Sequence, residues 1–183
     1  MNIFYLHNDP TICAEMHNDK HCVKMILEYA QLLSTAHRVL DGKPVRAKTD
    51  SGRNVVRYVL DSELDGILYS ATHINHPSAV WVRQSKENYI WLANLLMCLC
   101  EEYTYRYGKV HKVERDGLCL ALNKNFPRNI PIAEFTEPTP AMPDEVKVLN
   151  DSIQSYRNYY NNNKQHLASW KNRKAPTWFM ENR

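Results

Sequence analysis

The chain has 183 residues, 44% of them hydrophobic and 23% charged, with a formal net charge of +3. That is ordinary for a globular protein and long enough for one domain with a real core. So small a net charge excludes a chain whose bulk charge alone demands a polyanionic partner, and such a partner has to be argued from local clusters.

Residues 2–6 (NIFYL) are apolar and predict a buried strand or an extended plug against the core. Asp9-Pro10 predicts a helix N-cap followed by proline in the first turn. The helical pattern continues to Leu40 with a break near Asn18, and Asp41-Gly42 closes it. In residues 43–76, Arg53 to Leu60 and Gly66 to Tyr69 are rich in Val, Ile, Leu and Tyr and read as a hairpin or a short helix pair. Pro77 opens the next helix, which restarts at Ser85 and runs to Gly108. Ile90, Trp91, Leu95, Leu99 and Tyr103 recur at three and four within it, the spacing of a buried face. Another helix is predicted over Val113 to Leu122. Five prolines in residues 126–143 rule out regular helix or a central strand, leaving an ordered crossing loop. A last long helix is predicted from Asp144–Glu145 towards His166. The closing APTWF is expected to dock Trp178 and Phe179. The fold class is therefore mainly α: a compact single-domain helical bundle over 1–183, with a short N-terminal extended segment and room for a small hairpin.

The cysteines Cys13, Cys22, Cys98, Cys100 and Cys119 are odd in number, and MNIFYLHNDP lacks the basic start and apolar run of a secretory leader. Reduced thiols in a cytoplasm are the expectation. No membrane partner is expected, since the longest apolar candidate, Ile90 to Cys100, is short and interrupted by Asn94.

The most informative pattern is on the first long helix. His17, His21, Lys24, Glu28, Gln31 and Thr35 are spaced at three and four, which predicts one shared face. Val23, Ile26, Leu27, Ala30 and Leu33 lie opposite and predict the anchoring side. A polar stripe is by default a solvated face, but His, Gln and Thr are not the usual Glu/Lys mixture, which favours a functional stripe centred on Glu28. His76, in Asn75-His76-Pro77, stands at a helix start. Either His76 donates to a phosphate or base beside free helix N–H groups, or Asn75 caps the helix and His76 packs locally. Residues 152–180 contain Arg157, Lys164, Lys171, Arg173 and Lys174 and no acid, interleaved with Tyr156, Tyr159, Tyr160, Trp170, Trp178 and Phe179. Basic charge among aromatics suits phosphates and stacked bases, although half of these aromatics or more are expected in the core. His17/His21 beside Cys22 and His73-x-x-His76 are incomplete ligand sets, so no metal is expected. No glycine-rich phosphate loop or nucleophile elbow occurs, and no cofactor is expected.

The chain resembles the phage and bacterial pyrimidine-dimer DNA glycosylases of the endonuclease V type. The resemblance rests on NIFYLH at the start, KHCVKMILEYAQ in the first helix, NHPSAVW, EEYTYRYGKVHK and the closing APTWF. Residues 43–70 and 113–150 lie outside it. It implies a DNA base-excision enzyme of a bacterial or phage-infected cell, an N-glycosylase with abasic-site lyase activity on damaged or modified pyrimidines. In that family the N-terminal amine attacks the sugar carbon of a flipped nucleotide to give a Schiff base, a Glu assists, and elimination cuts the strand. Carried over, Glu28 is the catalytic carboxylate and the Met1 α-amine the nucleophile, with His17, His21, Gln31, Asn75, His76, Arg106, Tyr156, Lys171, Arg173 and Lys174 as substrate-binding candidates. Lys24 is the alternative amine. It lies one turn before Glu28 and can pair with it, which argues against its serving as a free nucleophile. In general an α-amine is less basic than a lysine, about 8 against about 10.4, which favours the chain terminus. Two departures stand out. Asn2 is not the small residue that promotes removal of an initiator Met, and a retained Met1 moves the amine outward. Leu27 and Gln31 stand where the family carries arginines, so phosphate binding along this helix should differ. Two other readings use the same residues: a phage-type protein that sequesters a nucleotide or nucleic-acid end, and an enzyme acting on free nucleotides or nucleotide signals. DNA or a nucleotide is the partner in every case, and the sequence carries no sign of oligomeric state.

Overall fold

The computed structural model describes residues 1–180 and is mainly helical. Helix α1 (Pro10–Met16) starts under Asp9, whose carboxylate accepts from the Thr11 and Ile12 N–H groups. It stops at His17, and Asn18 caps α2 (Asp19–Asp41) by accepting from the His21 N–H. The break expected near Asn18 is thus a full change of helix. Helix α2 ends at Gly42, where any Cβ would lie 2.4 Å from the Arg38 carbonyl oxygen. Glycine is needed there because the backbone turns back onto its own last turn, not because of a left-handed φ.

The antiparallel hairpin β1 (Lys43–Lys48) and β2 (Asn54–Val59) follows, with Lys43 opposite Val59 and Lys48 opposite Asn54. It lies earlier than expected: Asn54 to Val59 pair backward with residues 43–48, whereas Glu63–Gly66 is a 3₁₀ turn. Arg38 joins these parts, donating to the Tyr58, Tyr69, Asp65 and Leu68 carbonyls and to the Asp65 carboxylate.

Helix α3 (Pro77–Val82) begins at Pro77, and α4 (Lys86–Tyr107) is capped by Ser85 and ended by Gly108. The buried side of α4 is Leu92, Leu95, Leu96, Leu99, Glu102 and Arg106; Ile90, Trp91 and Tyr103 flank it half-buried. The expected helix over 113–122 is two, α5 (Lys112–Arg115) and α6 (Leu118–Lys124). Gly117, at φ 80°, turns the chain between them. Residues 126–143 cross the surface without regular structure, held where Thr136 bonds Asn88 and Trp81. The last helix is shorter than expected, because Asp144–Val146 is a 3₁₀ turn and α7 is Ser152–Asn163, capped by Asp151.

One core joins these elements: the plug Ile3 to Leu6, the inner face of α2, α4 and the aromatics Tyr156 and Tyr160 of α7. Trp178 and Phe179 dock as expected, Trp178 edge-on to Tyr160 and Phe179 edge-on to Trp170. On α2, Val23 and Leu27 face solvent, contrary to the anchoring role expected for them; Met25, Ile26, Tyr29, Leu32 and Leu33 form the packed side. Among the described residues no helix is long and apolar enough to cross a membrane.

Candidate active site at the amino end of the chain

The plug fixes where the chain's amine stands. Phe4 donates its N–H to the Tyr29 hydroxyl at 3.2 Å, and that hydroxyl lies 2.8 Å from His17 Nε2. His17 Nδ1 sits 2.7 Å from the Cys13 carbonyl and so carries the proton, leaving Nε2 to accept from Tyr29. Asn2 is clamped on both sides: its amide donates to the Ala141 carbonyl at 2.8 Å, and its oxygen accepts from the Tyr156 hydroxyl at 2.6 Å. The Met1 side chain is only 4% exposed, so the methionine packs inward and leaves its amine facing α2.

That amine is 3.6 Å from Glu28 Oε2, and Lys24 Nζ is 3.2 Å from Glu28 Oε1. The Glu28 side chain is 14% exposed and receives no other polar contact among the described residues. Around the pair is a groove of about 280 Å³ lined by Met1, Asn2, Phe4, His21, Lys24, Glu28, Tyr159 and Lys164 among others. Phe4 stacks on His21 at 4.0 Å between ring centres, and Lys164 Nζ lies 4.7 Å over the Tyr159 ring. The His21 Nδ1 faces the Tyr160 hydroxyl at 2.6 Å. With Nδ1 accepting, the neutral ring carries its proton on Nε2, which has no hydrogen-bond partner among the described residues; the residue is largely buried and only borders the groove. His76 lies close enough to feel both groups: burial first, then the charge of the terminal amine, push its imidazole down, while Glu28 opposes them. The site therefore offers a primary amine and a carboxylate in contact, two lysine cations, a neutral histidine and the half-buried ring of Tyr159. A larger cavity of about 640 Å³ opens beyond the far end of α2, but there Asp41 is already taken by the Arg128 and Asn129 N–H groups.

Comparison with family models, curated proteins and solved structures gave no match. The site rests on its own geometry.

Several expected ligand groups are elsewhere. His17 is fully buried outside α2 and serves the plug, so it leaves the stripe. Thr35 is also buried, bonded to the Thr72 backbone; the loop before α3 covers the stripe's far end. Gln31 is half-buried on the Glu28 side of α2. Arg106 does not line this groove: it is fully buried, bonded to Glu102, Asp19 and the Glu15 and His17 carbonyls. Tyr156 is buried too; it holds Asn2 through its hydroxyl and packs edge-on against Phe4. His76, not Asn75, caps α3, its Nδ1 accepting from the Ser78 N–H, so the expected free helix N–H is occupied; Asn75 is exposed. At the C-terminal end Arg173 pairs with Glu102 and Glu15, and the Lys171 Nζ lies over Tyr107; Lys174 is exposed. Neither His17/His21 nor His73/His76 gathers further ligands, and among the described residues no three His, Cys, Asp or Glu groups converge. Asn2, Phe4, Tyr159 and Lys164 are site residues that the sequence does not single out as such. Lys164 and Tyr159 belong to the acid-free aromatic stretch that signals them, but no local spacing says that they face residue 1.

The buried imidazoles set an acid limit. Burial pushes His17 and His37 down to about 4 and His21 to about 2, from 6.5. The unfolded chain takes up these protons below about 6.5 and the folded one does not, so stability falls with pH through that window. For His17 and His37 the loss between pH 6.5 and 4 is roughly 3 kcal/mol each, comparable together with a small protein's whole stability. Helical circular dichroism is expected to collapse between those pH values. A midpoint below pH 4 would mean that the imidazoles protonate within an intact fold.

Proposed function

We propose that the chain is a DNA N-glycosylase with an associated abasic-site lyase activity, using the Met1 α-amine as nucleophile and Glu28 as its carboxylate. One observation carries the reading: a primary amine lies 3.6 Å from a carboxylate that among the described residues is otherwise paired only with Lys24, in a groove that also holds Lys164 and two aromatic rings. Schiff-base chemistry needs a neutral amine next to a group that can take and return its protons. The neutral amine adds to C1′ while the C1′–N bond breaks, and the base leaves with the bonding pair and takes a proton from water. Glu28 takes a proton from the attached nitrogen and returns it to the ring oxygen as that oxygen leaves C1′, so that an iminium links Met1 to the opened sugar. Glu28, ionised again, then takes a C2′ proton, and the C3′–O bond breaks to expel the 3′ phosphate and cut the strand. Lys24 and Lys164 suit the flanking phosphates, and the half-buried Tyr159 ring suits a base face. The reading requires Met1 to be the true first residue, which the intact mass of the protein checks.

The test is borohydride reduction during incubation with a duplex containing one abasic site. A covalent adduct mapping to residue 1 by mass spectrometry is expected; an adduct on Lys24 would move the nucleophile. No adduct and no strand cut would overturn the lyase reading. The modest size of the groove favours a second reading, the binding of a free nucleotide by the same cations. Such binding should respond weakly to salt, whereas duplex binding should fall steeply.

A further inference from the structure

The hairpin β1–β2 is the part of the molecule that the proposed site leaves unused. Residues 43–59 contain Lys43, Arg46, Lys48, Arg53 and Arg57 against the single acid Asp50, a net charge of +4. The whole chain is +3, so all other residues together sum to −1. The hairpin thus carries more than the protein's entire excess of positive charge. Among the described residues none of Lys43, Arg46, Lys48 and Arg53 enters an ion pair. Most of both faces is open to solvent: Lys43, Val45 and Arg57 are exposed on one, Arg46, Lys48 and Val56 on the other. A free two-stranded hairpin is marginal in water. This one is held at its base, where Arg38 binds the Tyr58 carbonyl and Arg57 donates to the Ser70 hydroxyl.

Its position relates it to Glu28. The base of the hairpin leaves α2 at Asp41, thirteen residues after Glu28 on the same helix. That is about 20 Å along the axis, or about six base pairs of B-DNA. The loop before α3 spans the distance between them, from Ser70 at the hairpin, through Thr72 on Thr35, to His76 near the terminal amine.

We infer that the β1–β2 hairpin is a phosphate-binding arm that grips the backbone of duplex DNA a few base pairs from the nucleotide in the Glu28 groove. This rests on the proposed function for the choice of nucleic acid, and the charge complementarity is the hairpin's own. The arm meets phosphate, so it supplies affinity and register without sequence preference.

Fluorescence anisotropy with an undamaged labelled DNA duplex, across a salt series, tests it without requiring catalysis. The triple variant Arg46→Gln/Lys48→Gln/Arg53→Gln alters only exposed side chains. Its log–log salt slope is expected to be shallower by about 2.7, close to 0.9 for each phosphate that is no longer neutralised, with affinity lower at every salt concentration. An unchanged slope overturns the arm, as does a slope that falls instead in Lys171→Gln/Lys174→Gln. Preferential, hairpin-dependent competition by single-stranded RNA overturns the choice of duplex DNA. The two readings fail separately: a wild-type chain that is trapped on an abasic site while the triple variant binds normally loses only the arm. One that shows the hairpin-dependent slope and is never trapped loses only the lyase.

Discussion

Glu28→Gln is expected to lower turnover on an abasic or damaged duplex by roughly 10²- to 10⁴-fold, the range for loss of a positioned acid–base group. The amide keeps the shape of the side chain and removes its ability to accept and return a proton. Glu28 meets only two partners among the described residues, the Met1 amine and Lys24, so no backbone contact depends on its charge. Lys24 is 71% exposed, and such a surface pair contributes at most about 1 kcal/mol. The variant should therefore unfold in urea near the wild-type midpoint while single-turnover strand cutting falls away. Normal cutting by a folded variant would remove Glu28 from the chemistry. A large loss of stability would assign it instead to holding the amino end in place.

How much of this is legible in the sequence depends on the range of each interaction. Caps and breaks are local, so Asp9-Pro10, Pro77, Ser85 and Gly108 are readable from their neighbours. The mainly helical class follows from the same signals. The hairpin escapes correct placement because its first strand, KPVRAK, has little apolar alternation and gains its register only from β2. The polar stripe on α2 is half right. Helical spacing puts Lys24, Glu28 and Gln31 on one side, but spacing says nothing of what covers a helix. The plug and α7 bury His21, and the Thr72 backbone buries Thr35. The juxtaposition of residue 1 with residue 28 enters only through a family resemblance; no periodicity encodes it. Arg106 and Tyr156 mislead for the opposite reason. A basic or aromatic residue near the end of a helix looks like a ligand group until the carbonyls and carboxylates that surround it are known.

Arg106 carries the largest structural effect expected. Its guanidinium is fully buried and donates to Glu102 at 2.7 Å, the Glu15 and His17 carbonyls at 2.9 Å each, and Asp19 at 3.0 Å. Glu102 is shared with Arg173, and Asp19 also accepts from the Lys171 N–H. Burial alone would raise the Glu102 carboxyl, but its hydrogen bonds to Arg173 and Arg106 hold it below the usual range. The network ties the end of α1, the start of α2, the last turns of α4 and the C-terminal segment to one cation. It thereby sets the direction in which α2 carries Glu28 towards residue 1. Arg106→Met leaves two carboxylates and two carbonyls facing an apolar side chain, and breaking one side of a buried pair costs about 3–5 kcal/mol. Arg173→Met removes a guanidinium that is 31% exposed and should cost about 1 kcal/mol. Chemical denaturation of the two variants side by side checks the difference. If Arg106→Met were as stable as Arg173→Met but had lost duplex binding, Arg106 would be a ligand group that the fold only shelters. A drop of several kcal/mol confined to Arg106→Met is the outcome expected of a cation that holds α1, α2 and α4 together.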